Sequence, residues 1–240
     1  LERGDYVGGE EIQQFENVVA ELCNTTHAVS LNSGTDALFC ALKALDIGPG
    51  DEVITPPNSF ISSTAVIVQV GATPVFVDVK SDQNIDPTLI DSVITPRTKA
   101  IMPVHLTGRI ADMSVIKNRA EANNLYIVED AAQAIGSRLG GQASGSFGTV
   151  GCFSTHPLKN LNSCGDGGFI TTDDHDLAEK VKLIRNHGLE NRNCVVRFGQ
   201  VSRMDTLQAA ILNYRIKKLH TVIDKRRHNV SIYRKLLDPN

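Results

Sequence analysis

Lys159 lies in the segment Cys152-Phe-Ser-Thr-His-Pro-Leu-Lys-Asn-Leu161, and 29 residues upstream an apolar run ends in Glu129-Asp130-Ala-Ala-Gln133. A partly desolvated amine loses basicity and becomes a nucleophile able to condense with an aldehyde. A carboxylate at a strand end can hold a protonated ring nitrogen in its charged form. A third segment, Asn32-Ser33-Gly34-Thr35-Asp36, precedes a helical pattern. Backbone N–H groups at such a start cradle phosphate, and a glycine permits close approach. Aldehyde, ring nitrogen and phosphate are the three handles of pyridoxal 5'-phosphate (PLP), so Lys159 and Asp130 are the candidate catalytic pair.

Taken singly, each piece has a plainer role. Asp130 could cap a helix start, Lys159 could be a solvated loop lysine, and Ser33 could be an ordinary cap with Asp36 complementing the helix dipole. The surroundings add weight. Ser154 ends a strand-like run and could add a phosphate contact, and Gly165-Asp-Gly-Gly168 is flexible enough for close backbone approach. Phe60 follows another strand and could lie over one face of a flat ring, with Ala132 against the other. Gln133 could hydrogen-bond the ring hydroxyl. His105 ends a strand near these groups, His156 shares the loop of Lys159, and His187 belongs to a helix end; each reads as structural. Cys164 reads as a small filler.

The elements that position these residues alternate. Helical spacing covers residues 10–22, 36–45, 60–70, 87–94, 112–124 and 174–186. Short apolar runs at 52–55, 74–79, 99–105, 126–130, 149–154 and 168–172 read as strands. Strands spaced by amphipathic helices imply βαβ units and a largely parallel sheet, where ligands bind at the carboxyl ends. Residues 204–238 carry one unbroken helical period, so a single long helix is expected there, running to Leu237-Asp-Pro-Asn240 with nothing to pack against.

The net charge of -3, with no basic block, argues against nucleic-acid binding. Five cysteines without a CxxC pair argue for a reducing, cytoplasmic setting. The seven histidines form no metal pattern, and no apolar run is long enough to span a membrane.

The chain resembles the DegT/DnrJ/EryC1/StrS family of sugar aminotransferases, within the fold-type I PLP enzymes. The matching segments run in order across the chain. They include Asn32-Ser-Gly-Thr-Asp-Ala-Leu38, Gly50-Asp-Glu-Val-Ile-Thr-Pro56, Glu129-Asp-Ala-Ala-Gln-Ala134, Lys159-Asn-Leu161 and Gly165-Asp-Gly-Gly168. The resemblance implies an α/β fold, the large domain of a fold-type I PLP-dependent transferase, with a mostly parallel seven-stranded sheet flanked by helices. It implies a PLP-binding domain over 1–203 and, over 204–240, a helix leading towards a small C-terminal domain that this chain lacks. By resemblance Lys159 is the Schiff-base lysine and Asp130 the ring-nitrogen partner. Gln133 then contacts the ring hydroxyl, Gly34, Thr35 and Ser154 bind phosphate, and Phe60 stacks. Glutamate would donate the amine and a nucleotide-linked keto-sugar would accept it, in a homodimer. A cyclitol or other cyclic ketone as acceptor, or a non-catalytic module that keeps the fold, are the alternatives. Two departures stand out. Val201 replaces an asparagine that reaches the partner subunit's cofactor phosphate, and Thr107-Gly-Arg109 replaces an aromatic-containing turn.

Overall fold

The structure is a computed structural model that describes residues 2–237. The chain begins with α1 (Glu10–Cys23), β1 (His27–Leu31), α2 (Gly34–Ala44), β2 (Glu52–Thr55), α3 (Ile61–Gln69) and β3 (Thr73–Phe76). A 3-10 turn at Pro87–Val93 leads to β4 (Thr98–Ile101), a second at Leu106–Gly108 to α4 (Met113–Ala122) and β5 (Tyr126–Asp130). A hairpin of β6 (Arg138–Leu139) and β7 (Gln142–Ala143) precedes β8 (Val150–Ser154), β9 (Gly168–Thr172) and α5 (His175–Ile184). A second hairpin, β10 (Leu189–Asn191) and β11 (Cys194–Val195), leads to α6 (Thr206–Ile216) and α7 (Leu219–Leu236).

The mostly parallel seven-stranded sheet is present, in the order β1-β9-β8-β5-β4-β2-β3. The β2/β3, β2/β4, β4/β5 and β5/β8 pairs are parallel, and β9 runs antiparallel to both its neighbours. Because β9 opposes β1 and β8 alike, those two strands end on the same edge: Gly168 pairs with Leu31 on one side and with Ser154 on the other. The carboxyl ends of β1, β5 and β8 therefore share one rim.

Helices cover both faces. Apolar positions at helical spacing on α1 (Ile12, Phe15, Val19, Cys23) are buried. Phe15 meets Phe169 edge-on at 5.5 Å, and Phe169 stacks on Phe153 at 4.7 Å. A residue in the left-handed region, Asn24 with φ 60°, ends α1. The other face holds Leu38, Ala41 and Leu42 of α2 with Val66 and Ile67 of α3 and Val181 of α5. Buried Glu16 of α1 accepts from Arg185 at 2.6 Å and from Ser30 N–H and Oγ at 2.8 Å, tying α1, β1 and the end of α5 together.

The single helix expected over 204–238 is two helices, α6 and α7, broken at Lys217–Lys218. α6 packs back on α1 through buried Ala209 and Leu212. Leu219 is buried beyond the break, Ile223 packs beside it, and most of α7 is exposed. No proline or glycine marks the break, because it is tertiary packing that turns the chain. The expected end at Asp238-Pro-Asn240 lies outside the described residues. Strand β1 and the two hairpins were not among the sequence-derived strands, and the expected strand at 99–105 stops at Ile101, resuming as one bridge at Val104 after Pro103. Proline has no N–H to give a ladder.

Candidate active site

The rim of the sheet brings the three candidate segments together. Gly34 opens α2 directly beneath Ser154: a Cβ on Gly34 would stand 2.5 Å from Ser154 Cβ. Gly168 is pressed as closely on Ser33, with 2.4 Å left for its Cβ. Glycine at 34 and 168 is thus required by close approach rather than by backbone angle. Ser33 is extended, and its Oγ accepts from Asp36 N–H at 3.0 Å while its carbonyl accepts from Ala37 N–H. Among the described residues no acceptor takes the N–H of Gly34 or Thr35. Thr35 Oγ1 pairs with Ser62 Oγ at 2.8 Å, so the starts of α2 and α3 meet. Ser62 was not foreseen; its one signal was a serine pair just past the end of a strand.

Asp130 ends β5 and is buried. Its Oδ2 accepts from Ser63 Oγ–H at 2.6 Å and its Oδ1 from Ala132 N–H at 3.2 Å. Burial pushes the carboxyl pKa up, and the Ser63 and Ala132 hydrogen bonds, then His105 and Lys159, oppose that rise. The plainer reading of Asp130 as a helix cap holds only in part. It caps a turn, since no helix follows β5.

The adjacent Glu129 points to the other side of the strand and is fully buried. Its Oε1 accepts from Phe147 and Gly148 N–H, each at 2.7 Å. Its Oε2 takes Gly145 N–H at 2.9 Å and His105 Nε2 at 2.8 Å. His105 Nδ1 in turn accepts from Ala111 N–H at 3.3 Å, which assigns the ring proton to Nε2. His105 also donates its backbone N–H to Asp130 O at 3.0 Å. It supports the strand end from behind.

Lys159 sits half-buried in the loop between β8 and β9. Thr155 N–H donates to Gly167 O and Ser163 N–H to Thr155 O, each at 2.8 Å, closing the loop's neck. Gln208 of α6 grips Cys164 by both backbone groups, at 2.8 and 2.9 Å, and Arg215 donates to Asn162 O at 2.8 Å. α6 thus fixes the loop that carries the lysine. Burial lowers the Lys159 pKa, and the Asp130 charge opposes this. The two groups are electrostatic neighbours.

Lys159 also lines an open cavity of about 1090 Å³ with Thr107, Gln133, Ser137 and residues of α7, among them Arg226 and Arg227. Gln133 Oε1 accepts from Thr107 N–H at 2.7 Å, which leaves Nε2 as its free donor. Thr107 has φ 54°, and Gly108 O accepts from Ser137 Oγ at 2.7 Å. The unusual Thr107-Gly108 turn therefore holds Gln133. Phe60 stands at the start of α3 with 70% of its surface exposed, and Ala132 is half-buried. Val201 is exposed and bridges to Asn186. Cys164 is exposed, held by Gln208, and His187 lies in the turn after α5 with φ 59°.

The sequence pattern of the DegT/DnrJ/EryC1/StrS aminotransferase family matches residues 1–240. This chain belongs to that family. A dTDP-3-amino-3,4,6-trideoxy-alpha-D-glucose transaminase of Streptomyces venezuelae is 46% identical over 220 residues, 91% of this chain and 58% of that protein. A UDP-N-acetyl-3-dehydro-alpha-D-glucosamine 3-aminotransferase of Acidithiobacillus ferrooxidans is 46% identical over 235 residues, 97% of this chain and 63% of that protein. The crystal structure of NtdA from Bacillus subtilis with bound cofactor PMP superposes with a TM-score of 0.85 at 39% identity, covering 91% of this chain and 50% of that one. This chain thus spans less than two thirds of these relatives' length.

Proposed function

We propose that this chain carries the cofactor-binding part of a PLP-dependent aminotransferase that moves an amino group from glutamate to a nucleotide-linked keto-sugar. The observation that carries the reading is the buried Asp130 carboxylate at the end of β5 with the half-buried Lys159 amine within its electrostatic reach, on the rim where, among the described residues, no acceptor takes the N–H groups of Gly34 and Thr35. The names of the relatives, which act on dTDP- and UDP-linked sugars, support the substrate class.

The residues fit that cofactor. The N–H groups of Gly34 and Thr35, which no acceptor takes among the described residues, with the hydroxyls of Thr35, Ser62 and Ser154, would form a phosphate cradle, and the absence of a Cβ at Gly34 is what lets Ser154 approach it. Asp130 offers a carboxylate for a ring-nitrogen proton. Gln133 Nε2 is the donor available to a ring hydroxyl. When bound, PLP supplies an electron sink for the pair left at carbon when a proton departs. Burial enlarges the unprotonated share of Lys159 Nζ at any pH, which suits it to bond a carbonyl carbon and to carry a proton. The charge of Asp130 keeps a proton on the atom facing it. Phe60, at the start of the helix that carries Ser62, would cover a ring face.

We also place the protein in the cytoplasm as a homodimer. Val195, Val196, Phe198 and Val201 are exposed in one stretch, Phe198 by 97%, and such patches mark interfaces. Five free thiols suit a reducing compartment. Among the described residues no helix is long and apolar enough to cross a membrane.

The test is direct. Mixed with PLP, the chain gains a visible absorbance band, Lys159→Ala loses it, and glutamate bleaches it. A chain that takes up no PLP under any condition overturns the reading.

A further inference from the structure

The first turn of α3 touches both ends of the candidate site through two consecutive serines. Ser62 Oγ meets Thr35 Oγ1 in the phosphate cradle at 2.8 Å, and Ser63 Oγ meets Asp130 Oδ2 at 2.6 Å. Neighbours on a helix point about 100° apart, so one turn can serve two directions at once. Ser63 is fully buried, and its N–H donates to Phe60 O at 3.2 Å. A helical serine commonly bonds back to a carbonyl of its own preceding turn. Ser63 instead sends its hydroxyl to a carboxylate 67 residues away in sequence. The 2.6 Å separation falls in the range of a hydroxyl donating to a charged oxygen, shorter than a neutral pair. The other Asp130 oxygen is held by Ala132 N–H, so donors fix both oxygens.

We propose that Ser63 is a positioning residue for Asp130: its hydroxyl keeps the carboxylate charged and in one orientation, and the shared helical turn couples that carboxylate to the phosphate cradle. This rests on the PLP reading above. Burial alone would drive the acid towards its neutral form, and a neutral acid cannot hold a ring-nitrogen proton by charge. The other ionisable groups that act on Asp130 are His105 behind it and Lys159 facing it, while Asp130 itself raises the Cys152 thiol on the neighbouring strand.

The experiment uses the whole chain carrying Ser63→Ala, Ser63→Thr or Ser63→Cys. The first readout is PLP affinity by absorbance titration. The second is the pH titration of the Asp130 carboxyl carbon by NMR in the cofactor-free protein. Ser63→Ala should move the carboxyl midpoint up by about one unit and, at pH below that midpoint, where the acid must lose its proton to bind, weaken PLP binding by up to about tenfold. Ser63→Thr should restore both. If Ser63→Ala does not fold, Ser63→Cys, a weak donor of similar size, should shift both readouts in the same direction. A purely packing role would lower thermal stability and leave the carboxyl midpoint in place, and that result overturns the proposal. The two readings fail separately. No PLP uptake by the unaltered chain removes the cofactor reading, whereas uptake that Ser63→Ala leaves unchanged, with an unmoved midpoint, removes only the role of Ser63.

Discussion

Gly34 and Ser154 approach so closely that a Cβ on the glycine would stand 2.5 Å from Ser154 Cβ and 3.1 Å from its Cα. The contact joins the start of α2 to the end of β8, so neither backbone can yield alone. Gly34→Ala should therefore destabilise the chain by about 1–3 kcal/mol, as overpacked sites do. It should also cut PLP affinity more than tenfold, because the displaced strand end carries Ser154. Thermal melts and an absorbance titration check both, and an alanine variant with unaltered affinity removes the cradle.

Asp130 separates stability from function. Its folded pKa lies above the ordinary 3.8, mainly through burial. The folded state then binds more protons than the unfolded one between those two values, so this group's contribution falls as pH rises through that window. At neutral pH its charge costs stability in the cofactor-free chain. Asparagine can keep both contacts, accepting from Ala132 N–H and donating to Ser63 Oγ. Asp130→Asn should raise the neutral-pH melting temperature of the cofactor-free chain and narrow its gain on acidification. The glutamate half-reaction should slow on the order of a hundredfold, the scale of losing one preorganised charge. A variant that melts lower at pH 7 contradicts the assignment.

Much of this site could be read from residue types. Lys159, Asp130 and the Ser33-Gly34-Thr35 turn are chemically distinctive: Asp130 ends a recognisable strand, Lys159 lies in the loop after another, and the turn opens a recognisable helix. The serines of α3 were not legible, since Ser62 and Ser63 gain meaning only from partners at Thr35 and Asp130. Strand β1 went unread because His27-Ala-Val-Ser-Leu31 holds a single β-branched residue. The break between α6 and α7 left no local signal: the helical period runs on through Lys217–Lys218, while α6 follows α1 and α7 leaves the core.

Glu129 should prove a structural residue despite its place beside Asp130. Its two oxygens accept three backbone N–H groups and His105 Nε2. In Glu129→Gln an amide N–H₂ must face donors it cannot accept from. The expected loss is about 2–4 kcal/mol, the cost of unsatisfied buried donors. Urea unfolding would measure it as a lower midpoint with unchanged slope. The surviving folded fraction should bind PLP within threefold of the unaltered chain, a bound set on the order of 0.6 kcal/mol. Wild-type stability in this variant would mean the network contributes nothing.

Lys159 carries the last expectation. An amine attacks a carbonyl only when unprotonated, so the rate of PLP capture should rise with pH and level off at the amine's pKa. Burial places that pKa below the ordinary lysine value of 10.5, and Asp130 holds it back from falling further. Stopped-flow absorbance should therefore show a plateau reached at lower pH than for a free lysine derivative. In Asp130→Asn the opposing charge is gone, and the plateau should arrive at lower pH still. A midpoint at or above 10.5, or one that Asp130→Asn moves upward, would show that the two groups do not face one another as described.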